Sequence, residues 1–285
     1  MANYQDATEL SKLTLGKTTQ YCSEYNADLL QGVPRSLNRD DLALNQAELP
    51  FVGEDVWYGY ELSWLNEKGK PVVAVAEFRF PCTSKNIVES KSFKLYLNSF
   101  NQTRFTNLKQ VEQILIADLS KITDSAAKVK LFGVDHCPAL DINKSSSSYF
   151  CIDGEDINVD NYEYDAEILA QSQGEEGSDV DEYLVSHLLK SNCLITNQPD
   201  WASIYIHYRG KAINHAALLT YLVSFRQHNE FHEQCVERIY CDLNTFCQLE
   251  ELTVFARYTR RGGLDINPFR SSHIEHAPNG RTLRQ

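Results

Sequence analysis

The feature that most constrains the fold is an order of elements that the chain carries twice. In residues 55–135, two alternating strands precede two segments with helical spacing and a returning strand. Residues 182–258 repeat that order of strand, strand, helix, helix, strand. Such a repeat is typical of tandem modules in which helices cover one face of an antiparallel sheet. The sequence therefore predicts an α+β protein of two tandem modules, each an antiparallel sheet backed by a helix pair.

The strands and helices of both copies are predicted from local sequence patterns. Apolar and polar residues alternate in the strands, whereas in the helices the apolar residues recur every three or four positions. Asn107 is the expected N-cap of the second helix. In the first copy, we predict strands at 56–64 and 72–80, helices at 92–100 and 108–119, and a strand at 127–134. In the second, we predict an interrupted strand at 182–196, a strand at 201–208, helices at 216–226 and 230–247, and a strand at 252–258.

An acidic connector separates the two copies. Residues 153–182 contain twelve acidic and no basic side chains, in a chain whose whole net charge is −12. The spacing of a calcium-binding loop is absent, so we interpret the segment as a solvated linker. The predicted domains are therefore an N-terminal module at 1–150, the acidic connector at 151–181 and a C-terminal module at 182–285.

Charge and composition argue against several functions. With 39 acidic and 27 basic residues, the chain lacks the basic surface that nucleic-acid backbones require, although one small basic pocket remains compatible. No apolar run is long enough to span a membrane and no secretion signal is visible, so we expect a cytoplasmic protein. The eight cysteines form no Cys-x-x-Cys pair, which favours reduced thiols. Glycine-rich dinucleotide and P-loop motifs are absent as well.

Cys193 is the cysteine best placed for chemistry. A polar stretch surrounds it, and Asp200 follows seven residues later in a predicted Pro199-Asp200 turn. A nucleophilic thiol has to form a thiolate and needs an acid near the atom that it attacks. Cys193 and Asp200 together supply both groups. The alternative is a structural cysteine at a strand end beside a turn aspartate.

A second cluster lies between His228 and Cys235. On one helix, His228, His232 and Cys235 would share a face, which is compatible with a zinc site that lacks an evident fourth ligand. The metalloprotease motif is excluded because Asn229 follows His228. Alternatively, His232 and Glu233 line a small-molecule pocket, where the carboxylate accepts hydrogen bonds from a guanine-like N–H edge. A solvated helix face is the third interpretation.

Two further stretches suit an anionic ligand. Glu89 and Ser90 stand at a predicted helix start, where backbone N–H groups are free, and Lys91 adds positive charge. Arg261 and Gly262 lie in a basic, glycine-containing stretch that suits a phosphorylated cofactor such as NADPH. The structural alternatives are N-capping by Ser90 and a surface turn that closes the last strand.

Four stretches together carry a family resemblance: residues 89–96, 191–201, His232-Glu233 and 261–268. They are similar to the motifs of the NADPH-dependent 7-cyano-7-deazaguanine reductases, the nitrile reductases of queuosine biosynthesis. The likeness spans nearly the whole chain, and the stretch at 89–96 precedes the cysteine, as in the longer, two-module type. The resemblance implies the tunnelling fold, NADPH as cofactor, a small-molecule substrate and no metal. It also implies sites at module or subunit interfaces, and hence a homodimer.

The resemblance further implies a reaction and its residues. The nitrile of 7-cyano-7-deazaguanine is reduced to an aminomethyl group with two NADPH, through a covalent thioimide. Cys193 attacks the nitrile carbon, Asp200 protonates the nitrogen, and His232 orients the ligand or moves protons. The implied substrate-binding residues are Val88, Glu89, Ser90, His232 and Glu233. The implied cofactor-binding residues are Ser90, Lys91, Arg261 and Gly262.

Two other functions remain open on the residues alone. One is a zinc-dependent purine or pterin enzyme of the same fold, which would use His228, His232 and Cys235. The other is a non-catalytic purine-binding module, which would bind its ligand without covalent attachment or NADPH oxidation. Metal analysis and intact mass distinguish both from the nitrile reductase.

Overall fold

The computed structural model describes residues 21–137, 148–171 and 178–285. Contacts divide the chain into two compact units that alternate along the sequence. Unit 1 consists of the described residues within 1–47, 55–141 and 260–266, and unit 2 of those within 48–54, 142–259 and 267–285. No helix among the described residues is long and apolar enough to cross a membrane.

Unit 1 combines antiparallel strands with a helix pair. Strand β3 lies between β2 and β5, and the short strands β1 and β4 pair separately. The elements are β1 (Gly32–Pro34), α1 (Ser36–Arg39), β2 (Val52–Leu65, of which 52–54 belong to unit 2), β3 (Pro71–Pro81), β4 (Asn86–Val88), α2 (Ser90–Ser99), α3 (Leu108–Thr123) and β5 (Lys128–Phe132).

The core of unit 1 forms because the apolar residues of its helices recur at helical spacing. In α3, Val111, Leu115 and Leu119 are fully buried. Asn107 accepts a hydrogen bond from the N–H of Gln110, so the predicted N-cap is confirmed. The same core holds residues from the strands and from α2, namely Trp57, Trp64, Phe78, Phe93, Tyr96 and Leu97.

In unit 2, the long strand β9 pairs antiparallel with β7, β8 and β10. Strand β10 also pairs antiparallel with β11, and β6 pairs parallel with β7. The elements are β6 (Phe150–Cys151), β7 (Asp179–Ser186), β8 (Lys190–Asn192), β9 (Pro199–Lys211), α4 (His215–Ser224), α5 (His232–Phe246), β10 (Leu249–Tyr258) and β11 (Leu264–Ser271, of which 264–266 belong to unit 1). Short 3-10 helices cover Ile152–Gly154, Ala166–Gln171 and Phe225–Gln227.

The predicted elements are confirmed with shifted bounds, and the interrupted strand at 182–196 is two strands, β7 and β8. The short strands β1, β4 and β6 and the longer strand β11 were not predicted. For β11, the sequence offered only a basic, glycine-containing stretch or a surface turn. All of its residues are buried, so the alternation that identifies a half-exposed strand is absent. Its polar residues are paired instead of exposed: Arg270 donates to Oε1 of Glu237 at 2.8 Å, and both side chains are fully buried.

The acidic connector is anchored at a few of its described residues. Leu169 and Ile152 are buried, and the Asp153 carboxylate accepts hydrogen bonds from the Ser186 hydroxyl at 2.7 Å and the His187 N–H at 3.0 Å. Several of its acidic side chains are exposed, so the interpretation of a solvated linker stays a prediction. Residues 172–177 of the connector lie outside the described residues. The linear module boundaries at 150 and 181 stay a prediction.

A partly buried polar cluster joins the two helices of unit 1. The hydroxyls of Tyr25 and Tyr96 both donate to Oδ2 of Asp118, each at 2.6 Å. The carboxylate on α3 is thus shared between a tyrosine on α2 and one upstream of both helices. The Tyr25 ring also lies edge-on to Phe100, with ring centroids 5.2 Å apart. Burial and the adjacent carboxylate raise the pKa of both tyrosines above the usual value of 10.

Unit 2 repeats this cluster residue by residue. The hydroxyls of Tyr164 and Tyr221 both donate to Oδ2 of Asp242, at 2.8 and 2.5 Å. The Tyr164 ring lies edge-on to Phe225 at 5.1 Å. The local sequences match as well, since 96–100 is Tyr-Leu-Asn-Ser-Phe and 221–225 is Tyr-Leu-Val-Ser-Phe. The predicted duplication of an α+β unit is confirmed by these matching contacts.

Candidate active site

Cys193 lies in a short loop of unit 2 between paired strands. Strand β8 ends at Asn192, and β9 begins at Pro199. The Cys193 N–H donates to the Gln198 carbonyl at 2.8 Å, and the Asn197 N–H donates back to the Cys193 carbonyl at 3.0 Å. The thiol residue is partly exposed. The predicted Pro199-Asp200 turn is wrong, because the chain turns within this loop and both residues already belong to β9.

Strand pairing brings the predicted acid back beside the cysteine loop. Asp200 on β9 stands opposite Ser191 on β8, and it is buried. His232, the first residue of α5, places its Nε2 3.6 Å from Oδ1 of Asp200. The His232 ring also lies edge-on to Tyr258, with centroids 4.1 Å apart. The structure thus brings Asp200 and His232 together next to the strand that leads into Cys193.

The segment before α5 is tied to β8. The Asn192 N–H donates to the His228 carbonyl at 2.8 Å, and the Glu230 N–H donates to the Asn192 carbonyl at 3.0 Å. These backbone bonds place the start of α5 beside the loop that carries Cys193. They explain how two segments far apart in sequence contribute to one site.

The zinc hypothesis loses its structural basis. His228 precedes α5 and follows a 3-10 turn, so it does not share a helix face with His232 and Cys235. Its Nε2 lies 3.1 Å from Glu230 Oε2. Burial raises the pKa of the Cys235 thiol above its usual value of 9, which disfavours a thiolate ligand. The described residues contain no group of three metal-ligating side chains.

Two carboxylates near the start of α5 are buried. Glu233 lies in the first turn, where helix N–H groups favour negative charge. Glu230 pairs with Arg238, whose Nη2 is 2.9 Å from Oε1. Burial by itself raises the pKa of Glu230, but Arg238 and His228 outweigh it and hold the pKa below 4.5. Glu230 is therefore a fixed structural anion, whereas Glu233 is a candidate for ligand contact.

Two buried hydroxyls behind the site, those of Tyr258 and Ser191, were not predicted. Tyr258 is fully buried, and burial raises its pKa well above 10. Its hydroxyl lies near both the Ser191 hydroxyl and the Cys235 thiol. No local motif marks these residues, because pairing of β9 with β8 and β10 brings them near Asp200.

In unit 1, Glu89 caps helix α2 with its side chain. Its two carboxylate oxygens accept the N–H groups of Lys91 at 2.8 Å and Ser92 at 2.7 Å. The predicted cap, Ser90, is instead the first helical residue. Glu89 is fully buried, and burial outweighs these bonds and raises its pKa above 4.5. Val88 ends β4 directly before it and is buried as well. A carboxylate with about four acceptor positions keeps capacity for a ligand's N–H groups.

The predicted cofactor-binding residues, which all belong to unit 1, lie close to Lys94. Ser90 and Lys91 lie about one helical turn before Lys94 on α2. Gly262 stands in the turn before β11, in the left-handed region at φ 59°. A Cβ at that position would lie 3.0 Å from Lys94 Nζ. Helix α2 and the turn that contains Arg261 and Gly262 are therefore neighbours.

A shallow depression that is open to solvent lies beside this turn. Gly263 adopts a left-handed backbone at φ 79°, which favours glycine over other residues. Lys94 and the exposed Arg261 supply positive charge. These residues fit NADPH, because open backbone and cations are what a phosphate group requires. The lining residues are Gly59, Glu61, Lys94, Leu97, Asn98, Gly262, Gly263 and Leu264.

Comparisons with known proteins establish the class. Residues 21–131 match the family described as the N-terminal part of the nitrile reductase 7-cyano-7-deazaguanine reductase. Residues 199–277 match the family described as QueF-like protein. The chain belongs to the family of the 7-cyano-7-deazaguanine nitrile reductases. The NADPH-dependent 7-cyano-7-deazaguanine reductase of Colwellia psychrerythraea strain 34H is 82% identical over 286 residues, which cover 100% of each chain. The resemblance predicted from four stretches is confirmed.

Proposed function

We propose that this protein reduces the nitrile of 7-cyano-7-deazaguanine to an aminomethyl group with NADPH, through a covalent thioimide on Cys193, in queuosine biosynthesis. The observation that carries the catalytic assignment is the site in unit 2. There, β8–β9 pairing sets the buried Asp200 beside the strand that leads into Cys193, and His232 lies 3.6 Å from Asp200. Family membership and the name of the 82% identical relative support the substrate and the cofactor.

The first chemical step is addition of the thiol across the nitrile. Cys193 Sγ bonds to the nitrile carbon, and the nitrogen takes up a proton, so that atoms balance in a thioimide. Asp200 is suited to deliver that proton because it is a buried carboxyl group beside the strand that leads into Cys193. His232 adjoins Asp200 and is suited to restore its proton, since imidazole exchanges protons near neutral pH.

The remaining steps consume two hydrides and regenerate the thiol. NADPH, when bound, supplies those hydrides. After the thioimide carbon is reduced, the Cys193 thiolate departs and leaves an imine, which is then reduced to the amine. The thiolate regains its proton, so the net uptake is two hydrides and two protons. Asp200 and His232 are the residues that we assign to passing these protons.

Substrate recognition is assigned to residues at two helix starts. In unit 1, Glu89 is a buried carboxylate with acceptor capacity beyond its two backbone bonds, and Val88 and Ser90 flank it. In unit 2, Glu233 is a buried carboxylate in the first turn of α5, next to His232. Carboxylates that accept from adjacent N–H groups suit the edge of a guanine-like base.

Cofactor binding is assigned to Ser90, Lys91, Arg261 and Gly262. The open turn and the cations around Lys94 support this assignment, because a guanidinium pairs bidentately with phosphate oxygens. We also propose a cytoplasmic homodimer of two-module chains, with boundaries at 150 and 181, that contacts neither nucleic acid nor a membrane. The net charge of −12 supports the lack of nucleic-acid contact.

Intact-protein mass tests the proposal directly. Mixing the protein with 7-cyano-7-deazaguanine in the absence of NADPH is expected to add one substrate mass, and later addition of NADPH should discharge it. Cys193→Ala should form no adduct, because the attacking sulfur is gone. Cys241→Ala is the matched control, since Cys241 is also a partly buried cysteine of unit 2.

Each outcome separates one part of the proposal. An adduct that persists in Cys193→Ala would remove Cys193 as the nucleophile. An unchanged rate of adduct formation in Asp200→Asn would remove Asp200 as the acid. Binding without any adduct or NADPH oxidation would favour the non-catalytic purine-binding module.

A further inference from the structure

We infer that Asn229 is a positioning residue for Cys193, because it joins both ends of the thiol's loop to the segment that leads into His232. The inference rests on the proposed role of Cys193 as nucleophile. It concerns side chains of unit 2 that we have not placed in contact with substrate or cofactor. These side chains form a hydrogen-bonded relay of Lys190, Asn192, Asn229 and Asn197.

The relay has a defined direction. The Lys190 ammonium donates to Asn192 Oδ1 at 2.6 Å. Because an ammonium only donates, the Asn192 oxygen faces Lys190, and its Nδ2 is left to donate to Asn229 Oδ1 at 3.1 Å. Asn229 Nδ2 then donates to Asn197 Oδ1. The lysine therefore sets the orientation of each amide in turn.

The ends of the relay enclose the cysteine. Asn192 comes directly before Cys193, and Asn197 closes the loop through its N–H bond to the Cys193 carbonyl. Asn197 adopts a left-handed backbone at φ 54°, which asparagine tolerates better than most residues. The backbone of the loop does not favour this conformation by itself. The Asn229 amide stabilises it by hydrogen bonds to the side chains of Asn192 and Asn197, one at each end of the loop.

Asn229 is also joined to the other half of the site. Its chain neighbours exchange backbone bonds with Asn192, through the His228 carbonyl and the Glu230 N–H. His232 begins α5 shortly afterwards. The relay therefore couples the position of the thiol to the position of the imidazole. Nucleophilic attack depends on near-attack geometry, so a loosened loop should slow the reaction more than it weakens binding.

The test is the rate of thioimide formation in Asn229→Ala, measured by quenched intact mass with 7-cyano-7-deazaguanine and no NADPH. Loss of two side-chain hydrogen bonds is expected to lower the rate constant about 10- to 100-fold. The half-saturating substrate concentration should change by less than about threefold, because no binding contact is removed.

A second variant tests the relay without disturbing the backbone. Asn197→Gly removes the acceptor of the Asn229 amide while glycine retains the left-handed conformation. It should slow adduct formation as well. Relative to the unaltered protein, the double variant should lose less rate than the product of the two single losses. Full additivity would mean that the two side chains act separately and would overturn the relay.

Asn214→Ala is the matched control for folding. Asn214 caps α4 by accepting the Ala217 N–H at 3.0 Å, and it lies outside the relay. This variant should lower the melting temperature yet keep the wild-type adduct rate. An unchanged rate in Asn229→Ala, or an equal loss in Asn214→Ala, would refute the positioning role.

Alkylation of Cys193 by a reagent that does not bind as a substrate tests this inference independently of the proposed function. If the unaltered protein formed no adduct with 7-cyano-7-deazaguanine, that result would count against the nitrile reductase but not against the positioning of Cys193. The alkylation rate of Cys193 by iodoacetamide, relative to the exposed Cys151, should still differ in Asn229→Ala by about threefold or more, because a relaxed loop changes the access of the reagent to the thiol. An identical ratio would overturn the positioning of Cys193 by Asn229.

Discussion

The helix pairs of the two units share their interior and differ at their starts. Inside each pair, a carboxylate on the second helix accepts two tyrosine hydroxyls, at Asp118 in unit 1 and Asp242 in unit 2. At the starts, unit 1 has Glu89 before its first helix, where unit 2 has Asn214. The second helix of unit 2 begins with His232, where unit 1 has Leu108.

This difference indicates how a duplicated unit acquires chemistry. The tyrosine–aspartate cluster stabilises the helix pair, so both copies keep it. A helix start presents free N–H groups and a new side-chain direction, and a substitution there disturbs little of the core. His232 in unit 2, which we assign to proton transfer, and Glu89 in unit 1, which we assign to substrate binding, both occupy such starts, so the proposed specialisation falls on a different helix in each unit.

The largest expected effect comes from exchanging the starts of the second helices. His232→Leu should lower kcat by about 100- to 10,000-fold, as expected for loss of an acid–base group. Leu108→His, the reciprocal change at a residue that is 40% exposed, should leave kcat unchanged. Steady-state NADPH oxidation measures both. Equal losses in both variants would mean that the position matters only for folding.

Glu89→Asn copies the cap of unit 2 into unit 1 and should weaken substrate binding. Asparagine still caps the helix, but one neutral amide oxygen replaces two charged ones. Loss of a charged hydrogen bond of about 1.5–3 kcal/mol corresponds to roughly 10- to 150-fold in Kd. Calorimetry on the Cys193→Ala background measures it. Asn214→Asp, the matched cap variant in unit 2, should bind normally; comparable weakening in that variant would contradict substrate contact by Glu89.

The pH dependence of substrate binding is a second test of the difference between Glu89 and Asn214. Burial raises the pKa of Glu89 above 4.5, so protonation begins at a higher pH than for an exposed glutamate. The affinity for the base should be full above this raised pKa and should fall as the pH decreases through it. In Glu89→Asn, the acidic limb of a plot of Kd against pH should flatten. A limb that persists would assign the titration to another group.

A smaller effect is expected from substitutions in the tyrosine–aspartate cluster that both helix pairs share. Tyr96→Phe and Tyr221→Phe each remove one hydroxyl donor from the shared carboxylate, which is half-buried at Asp118 and buried at Asp242. Each change should lower the free energy of unfolding by about 1–3 kcal/mol. Urea denaturation followed by circular dichroism measures both. Because the clusters match contact by contact, the two losses should agree within a factor of about two. A silent variant in one unit would show that the clusters are not equivalent.

The smallest expected effect concerns Glu230. Arg238 and His228 overcome burial and hold its pKa below 4.5. The charged pair therefore contributes stability above pH 4.5, and this contribution is lost as the pH falls through the lowered pKa. Glu230→Gln should be less stable at pH 7 and should lose less stability on acidification. Thermal melts between pH 3 and 7 measure the difference; parallel curves would contradict it.

Secondary structure was predicted most accurately where a single local sequence pattern determines a helix or strand. Helix α3 was predicted together with its cap because Asn107 precedes a regular apolar stripe. Strand β11 was missed because Arg270 and its polar neighbours interrupt the apolar pattern, and their partners are known only in the folded chain. Cys193 and Asp200, which we propose as nucleophile and acid, were recognisable as a pair from spacing and resemblance. Tyr258 and Asn229 were not, because strand pairing and a side-chain relay bring them into the site.

The alternating division of the chain has a consequence for synthesis. Unit 1 completes its core with Leu264 and Ile266, which are buried among side chains that precede residue 132. Nearly the whole polypeptide has to leave the ribosome before those two residues can take their places. The core of unit 1 therefore stays incomplete while most of unit 2 is translated. A gene cut between the two copies would separate unit 1 from these residues, and each fragment would need its complement in the same cell to reach the native state.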